Sequence, residues 1–148
     1  MFDELVGSVM QREKVLKVLP ESSVSTAAEL MARERAGAVL VLEGTRLVGI
    51  LTERDIVLRV VAAALDPRAT SVAQVMTPGP VTVDAESSFG CALLIMQEGS
   101  FRHLPVVRYG ELVGIVSSRS AMDPALEEFV AETARRKHFE ALRNKSRL

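Results

Sequence analysis

The sequence is poor in the residues that usually carry covalent or metal chemistry. A single cysteine, Cys91, stands among 148 residues, which excludes an intramolecular disulfide framework and suits a reducing cytoplasm. That cysteine and two histidines at distant positions give little support to a catalytic triad or a zinc cage. Cys91 falls on an apolar helix face and is expected in the core rather than as a nucleophile. The six methionines are scattered, which does not suit metal collection. Two phosphate-cradling devices, the Walker loop and Gly-x-Gly-x-x-Gly, are missing. No apolar run reaches membrane-spanning length, and Met1-Phe2-Asp3-Glu4 lacks the basic start of a secretory signal, so the chain is expected to be cytoplasmic. A formal net charge of −1 gives no reason to expect a polyanionic partner. The chain is not expected to be an enzyme or to require a cofactor.

What the chain does have, it has nearly twice. Glu21-Ser22-Ser23 recurs as Glu86-Ser87-Ser88, and Leu47-Val48-Gly49-Ile50 recurs as Leu112-Val113-Gly114-Ile115, both at a spacing of 65 residues. One register over two separate stretches makes the chain a tandem of related units. The composition, 48% apolar and 25% charged, is ordinary for a globular protein. The length leaves room for one compact body or for two small half-domains sharing one core.

Each unit reads as β-α-β-β-α, an α+β class. In the first, a strand over 15–19 ends at Pro20. Ser22, Ser23 and Ser25 offer capping hydroxyls for a helix over 26–35, whose stripe is Ala27, Leu30 and Met31. Gly37 is expected to break that helix. Strands over 38–42 and 46–51 form a hairpin about Gly44-Thr45. A last helix runs from about Thr52 to Leu65, before Asp66-Pro67. The second unit has a strand over 81–83, a helix over 88–97 closed by Gly99, a hairpin of 103–107 with 112–116, and a helix beginning near Ser117. Residues 72–76 form a helical turn stopped by Thr77-Pro78. The expected domains are 7–65, a linker over 66–71, a second unit over 72–122, and a C-terminal helix over 123–148.

The helix holding Ile56, Val57, Leu58, Val60, Val61, Ala62, Ala63, Ala64 and Leu65 is apolar nearly all round, with Arg59 its only charge. Such a helix is buried on more than one face, and a homodimer is expected on this ground. The C-terminal helix opens at Asp123-Pro124, carries Glu127, Glu128 and Glu132 early and Arg135, Arg136 and Lys137 late, and pairs Glu132 with Arg136. Its stripe of Leu126, Phe129, Val130 and Thr133 suits packing or dimer clasping. A nucleic-acid role for Arg143, Lys145 and Arg147 is the weaker alternative, since only Phe139 is near to stack on a base.

Two such repeats, with Gly49-Ile50-Leu51-Thr52-Glu53-Arg54-Asp55-Ile56 closing the first and Phe101-Arg102-His103-Leu104-Pro105-Val106-Val107 inside the second, resemble a pair of cystathionine β-synthase (CBS) domains. Val75-Met76-Thr77-Pro78 before the second unit, with Val9-Met10 as its counterpart, adds to a resemblance that covers about residues 7–122. It implies a pseudo-twofold CBS-domain pair of the stand-alone regulatory type. Family members bind adenosine-containing ligands in clefts between the two units, and two pairs commonly associate through their helices into a flat disk. The ligand implied is AMP, ADP or ATP, with S-adenosylmethionine a further candidate. The client protein is left unidentified.

Within that resemblance, Thr52-x-x-Asp55 is the strongest local signal. A carboxylate at the start of a helix can accept hydrogen bonds from both ribose hydroxyls, and the first helical amides welcome a phosphate. Thr52 and Asp55 also fit a capping box. The two roles are compatible, because the cap needs one carboxylate oxygen. The second copy reads Ser117-x-x-Ser120, keeping the hydroxyl and losing the acid, so unequal clefts and one nucleotide per chain are expected. Arg102 and His103 match family positions that reach phosphates, while a surface salt bridge for Arg102 and a backbone-bonded histidine are the alternatives. The cleft they serve stays open. Val15, Leu16, Ala38, Pro80 and Val81 match the family's places for an adenine ring. A second reading is a ligand-independent dimerising scaffold.

Overall fold

A computed structural model describes residues 2–10 and 15–119, together with Glu132, Arg135, Arg136, His138 and Arg143. The elements are α1 (Val6–Val9), β1 (Lys17–Val18), α2 (Val24–Glu34), β2 (Ala38–Glu43), β3 (Arg46–Thr52) and α3 (Glu53–Ile56), which runs on as a π-helical stretch over Val57–Val61. They continue as α4 (Val72–Val75), β4 (Thr77–Pro78), β5 (Val83–Asp84), α5 (Phe89–Gly99), β6 (His103–Arg108) and β7 (Glu111–Ser117).

Serine hydroxyls start both long helices at equivalent places in the repeat. Ser23 Oγ accepts the Thr26 N–H at 3.0 Å and Ser88 Oγ accepts the Cys91 N–H at 3.2 Å, each satisfying a first-turn donor. The C-caps are left-handed residues, Arg35 (φ 52°) and Ser100 (φ 56°); Gly99 is the last helical residue of α5, as expected, while α2 stops at Glu34, before Gly37. In both, the next N–H reaches back over the turn, Ala36 to the Met31 carbonyl at 2.9 Å and Phe101 to the Met96 carbonyl at 3.1 Å. This closure answers the helix-end carbonyls. Gly37 serves packing instead: a Cβ there would lie 3.1 Å from His103 Cε1 and Nε2.

The strands form two sheets, ordered β1-β2-β3-β4 and β5-β6-β7. In each, a short strand lies parallel to the first arm of an antiparallel hairpin, β1 on β2 and β5 on β6. The parallel strands are shorter than the expected 15–19 and 81–83. Only Lys17–Val18 and Val83–Asp84 pair, and Val81 is left exposed ahead of β5. Strand β2 is buried on both faces. Val39 and Val41 point into the first unit's core, while Ala38, Leu40 and Leu42 meet Ile50 and Ile115 between the two sheets. A continuous apolar run is what a doubly covered strand requires.

The short helical turns exchange places. Val72 and Val75 of α4 pack with Val18, Val24, Val39 and Leu51 of the first unit, and Thr77–Pro78 hydrogen-bonds to β3. Val6 and Met10 pack with Val83, Phe89, Leu104 and Val116 of the second. Each unit's core is therefore completed by the turn that precedes the other.

The helix after Thr52 is α-helical only to Ile56. Beyond it the Ala62 N–H donates to the Val57 carbonyl at 2.9 Å, a five-residue span, and Ala64 turns left-handed at φ 56°. Val60 is buried, but Val57, Leu58, Val61 and Leu65 are exposed, so a single chain covers one face only. Cys91 is exposed, not in the core, because α5 buries Phe89, Ala92 and Met96 and the intervening position points away. Arg136 Nη2 lies 2.8 Å from Glu132 Oε1, the expected i,i+4 pair on helical residues. The capping at Asp123-Pro124 and the stripe of Leu126, Phe129, Val130 and Thr133 lie outside the described residues. Among the described residues no helix is long and apolar enough to cross a membrane.

Candidate functional site

The N-terminus of α3 opens on a cleft of about 810 Å³ between the two units. Its first wall is Thr52, Glu53, Arg54, Asp55, Leu58 and Arg59, with Gly37 and Ile50 beside them. The segment following α4 contributes Thr77, Gly79, Pro80 and Val81, and the loop before β6 contributes the run from Gly99 to His103. The strand-to-helix junction places the first wall. β3 ends at Thr52, paired with Ala38, and the Glu53 N–H donates to the Gly37 carbonyl at 3.0 Å.

Thr52 and Asp55 form a complete capping box. Thr52 Oγ1 accepts the Asp55 N–H at 3.2 Å, while Asp55 Oδ2 accepts the Thr52 N–H at 3.0 Å and its hydroxyl at 3.1 Å. The cap thus uses Oδ2. Oδ1 keeps only longer contacts, the Thr77 hydroxyl at 3.4 Å and Arg59 Nε at 3.8 Å. At 8% exposure Asp55 is one of two buried polar or charged residues among those described, which makes its charge compensation by these donors necessary. Arg59 Nη1 also donates to the Val75 and Met76 carbonyls at 3.1 and 3.0 Å, closing the C-terminal end of α4. One guanidinium therefore ties the acid to the end of α4.

Three guanidinium groups, from Arg54, Arg59 and Arg102, border the cleft with one imidazole, against the carboxylates of Glu53 and Asp55. Arg54 Nη1 reaches the Ser100 carbonyl at 3.4 Å, across the two units. His103 lies over Gly37 with its pKa below the usual 6.5. Burial is the main cause and the charges of Arg102 and Arg119 add to it, while Glu53 opposes them. Among the described residues no three His, Cys, Asp or Glu side chains are gathered to hold a metal ion.

Of the residues singled out in the sequence, Thr52, Asp55, Arg102, His103, Pro80 and Val81 line this one cleft. Arg102 and His103 therefore stand beside Asp55. Ala38 is buried between the sheets and reaches the site only through its pairing with Thr52. Ser117 pairs with His103 at the end of β7 and does not line the cleft. Val15 packs between the sheets and Leu16 against the first core. Ser120 and residues 11–14 lie outside the described residues, and with them the cleft built on the second copy. Sequence reasoning missed Glu53, Arg54, Arg59 and Thr77 as cleft residues. Glu53, Arg54 and Thr77 were inside the quoted motifs. Arg59, the lone charge in an apolar helix, was visible as an anomaly.

The family model for the CBS domain matches residues 6–62 and again 72–125. The chain is 39% identical over 108 residues to the CBS domain-containing protein CBSCBSPB3 of Arabidopsis thaliana, covering 72% of this chain and 19% of that one. To the CBS domain-containing protein YhcV of Bacillus subtilis it is 38% identical over 104 residues, 70% of this chain and 74% of the other. A CBS-domain containing protein from Agrobacterium tumefaciens superposes with a TM-score of 0.73 at 31% identity, over 82% of this chain and 98% of its own. The chain spans about a fifth of the length of the first curated relatives it matches.

Proposed function

Because this chain belongs to the CBS domain family, we propose that it is a regulatory module that binds an adenine nucleotide between its two units and controls a client protein through the bound state. The carrying observation is the convergence on one cleft of a buried carboxylate whose Oδ1 is held only by longer contacts, three arginines, an imidazole and the apolar edge of Ile50, Pro80 and Val81. The ribose hydroxyls donate to Asp55 Oδ1. Arg102 and His103 meet the phosphate, for which the planar guanidinium is well shaped. The adenine lies along the apolar edge. Such a ligand touches both units, so it biases their arrangement by its differential affinity for the alternatives.

Calorimetry with AMP, ADP, ATP and S-adenosylmethionine tests this on the wild type and Asp55→Ala. Loss of charge-assisted hydrogen bonds of about 1.5–3 kcal/mol weakens the bound nucleotide about 10- to 150-fold. An affinity unchanged by Asp55→Ala removes the ribose role of Asp55, and silence with all four ligands removes the reading as a whole. The exposed apolar face of Val57, Leu58, Val61 and Leu65 favours a second reading, a module that pairs with its own copy and serves as a scaffold.

A further inference from the structure

One of the titratable groups lining the cleft is an imidazole that bridges the two units. His103 belongs to the second unit, yet its Cε1 and Nε2 lie 3.1 Å from the point where a Cβ on Gly37 of the first unit would be, and the Glu53 carboxyl carbon is 3.8 Å from the same point. Imidazole and carboxylate therefore converge over Gly37 without a hydrogen bond between them among those observed. The charged groups facing His103 are Glu53 from α3, with Arg102 and Arg119 from the segments flanking β6 and β7. Among the described residues no anion other than Glu53 offsets the two arginines there.

We infer that nucleotide binding in this cleft is coupled to proton uptake by His103, so that the module reads pH and nucleotide together. This rests on the nucleotide reading above. In the empty cleft burial and the two arginines favour the neutral imidazole. A phosphate dianion arriving beside it reverses the local balance, because an opposite charge within a few ångströms favours the imidazolium. The proton is drawn from the solvent onto a ring nitrogen and no covalent bond of the ligand changes. Between the empty and occupied midpoints of His103, the affinity falls as the pH rises, by up to about tenfold per pH unit.

The histidine Cε1–H resonances, followed by NMR against pH, test this on the intact protein with AMP and with adenosine, each at saturation by calorimetry. The chain has two histidines, so His138 is an internal control and His103→Gln assigns the signals. The expected result is a rise of about one unit or more in the His103 midpoint with AMP, none with adenosine, and none at His138. Glu53→Gln should lower the empty-cleft midpoint, since it removes the carboxylate that favours the charged ring. The phosphate of AMP, with its second pKa near 6, loses rather than gains a proton beside arginines, so it cannot mimic the His103 signal. A His103 midpoint that stays put with AMP bound, rises equally with adenosine, or ignores Glu53→Gln overturns the coupling while leaving the nucleotide reading intact. Absence of any binding heat overturns that reading, and the coupling with it.

Discussion

At Asp55 two demands fall on one carboxylate. The fold uses Oδ2 to cap α3 and leaves Oδ1 facing the longer contacts of Thr77 and Arg59. Spacing alone could not choose between cap and ligand group, and the geometry shows that the cap does not consume the side chain. His103 carries a second consequence at this scale. Its folded pKa lies below the ordinary value of 6.5, so the unfolded chain binds more protons as the solution is acidified. The stability tied to the neutral ring is present above pH 6.5 and is lost as the pH falls through the folded midpoint. Urea titrations between pH 7.5 and 5 should show the wild type losing stability relative to His103→Gln. Parallel pH profiles for the two proteins would contradict the assignment.

At the scale of the element, the serines repeated at a spacing of 65 residues do the same work twice. Ser23→Ala and Ser88→Ala should each cost about 1 kcal/mol, the usual value of a lost N-cap. Denaturant midpoints check this, and a cost confined to one copy would show that the second hydroxyl is not needed by its helix. These caps were legible in the sequence because capping is a local chemistry of hydroxyl and amide. The ends were less so. Both glycines chosen as stops lie near the true ones, Arg35 and Ser100, whose left-handed turns are held by backbone closure rather than by residue preference. The π-helical stretch was also hidden. Arg59, four residues after Asp55 on the same helix, also reaches the Val75 and Met76 carbonyls at the α4 turn, and that second partnership joins separate segments of the chain.

At the scale of the molecule, the exchange of α1 and α4 makes the units interdependent. Val6, fully buried among second-unit side chains, is expected to tolerate no charge. Val6→Asp places an unpaired carboxylate in that core. Hydrogen exchange should then show protection lost first in β5, β6 and β7, although the substitution lies at the start of the first repeat. Loss confined to β1, β2 and β3 would argue against the exchange. The exposed face of the helix following Asp55 gives a second expectation. Light scattering should report two copies for the wild type, and Val61→Glu, at a position 69% exposed in the single chain, should shift it to one with little change in stability. A wild type that is already monomeric at working concentration sinks the pairing.

The sequence by itself determined the duplicated α+β plan, the hairpins, the caps and the acid at the head of α3, because periodicity, turn chemistry and capping act over a few residues. It placed Arg102 and His103 among the residues of interest but could not say beside which cleft. Only the tertiary structure decided that they share a cleft with Asp55, that Ala38 is shut between the sheets, that Cys91 is exposed, and that each leading turn completes the other unit's core. Those outcomes depend on which surfaces of two similar units are brought together. A pattern repeated along one chain specifies each half twice, and leaves their mutual contacts to packing.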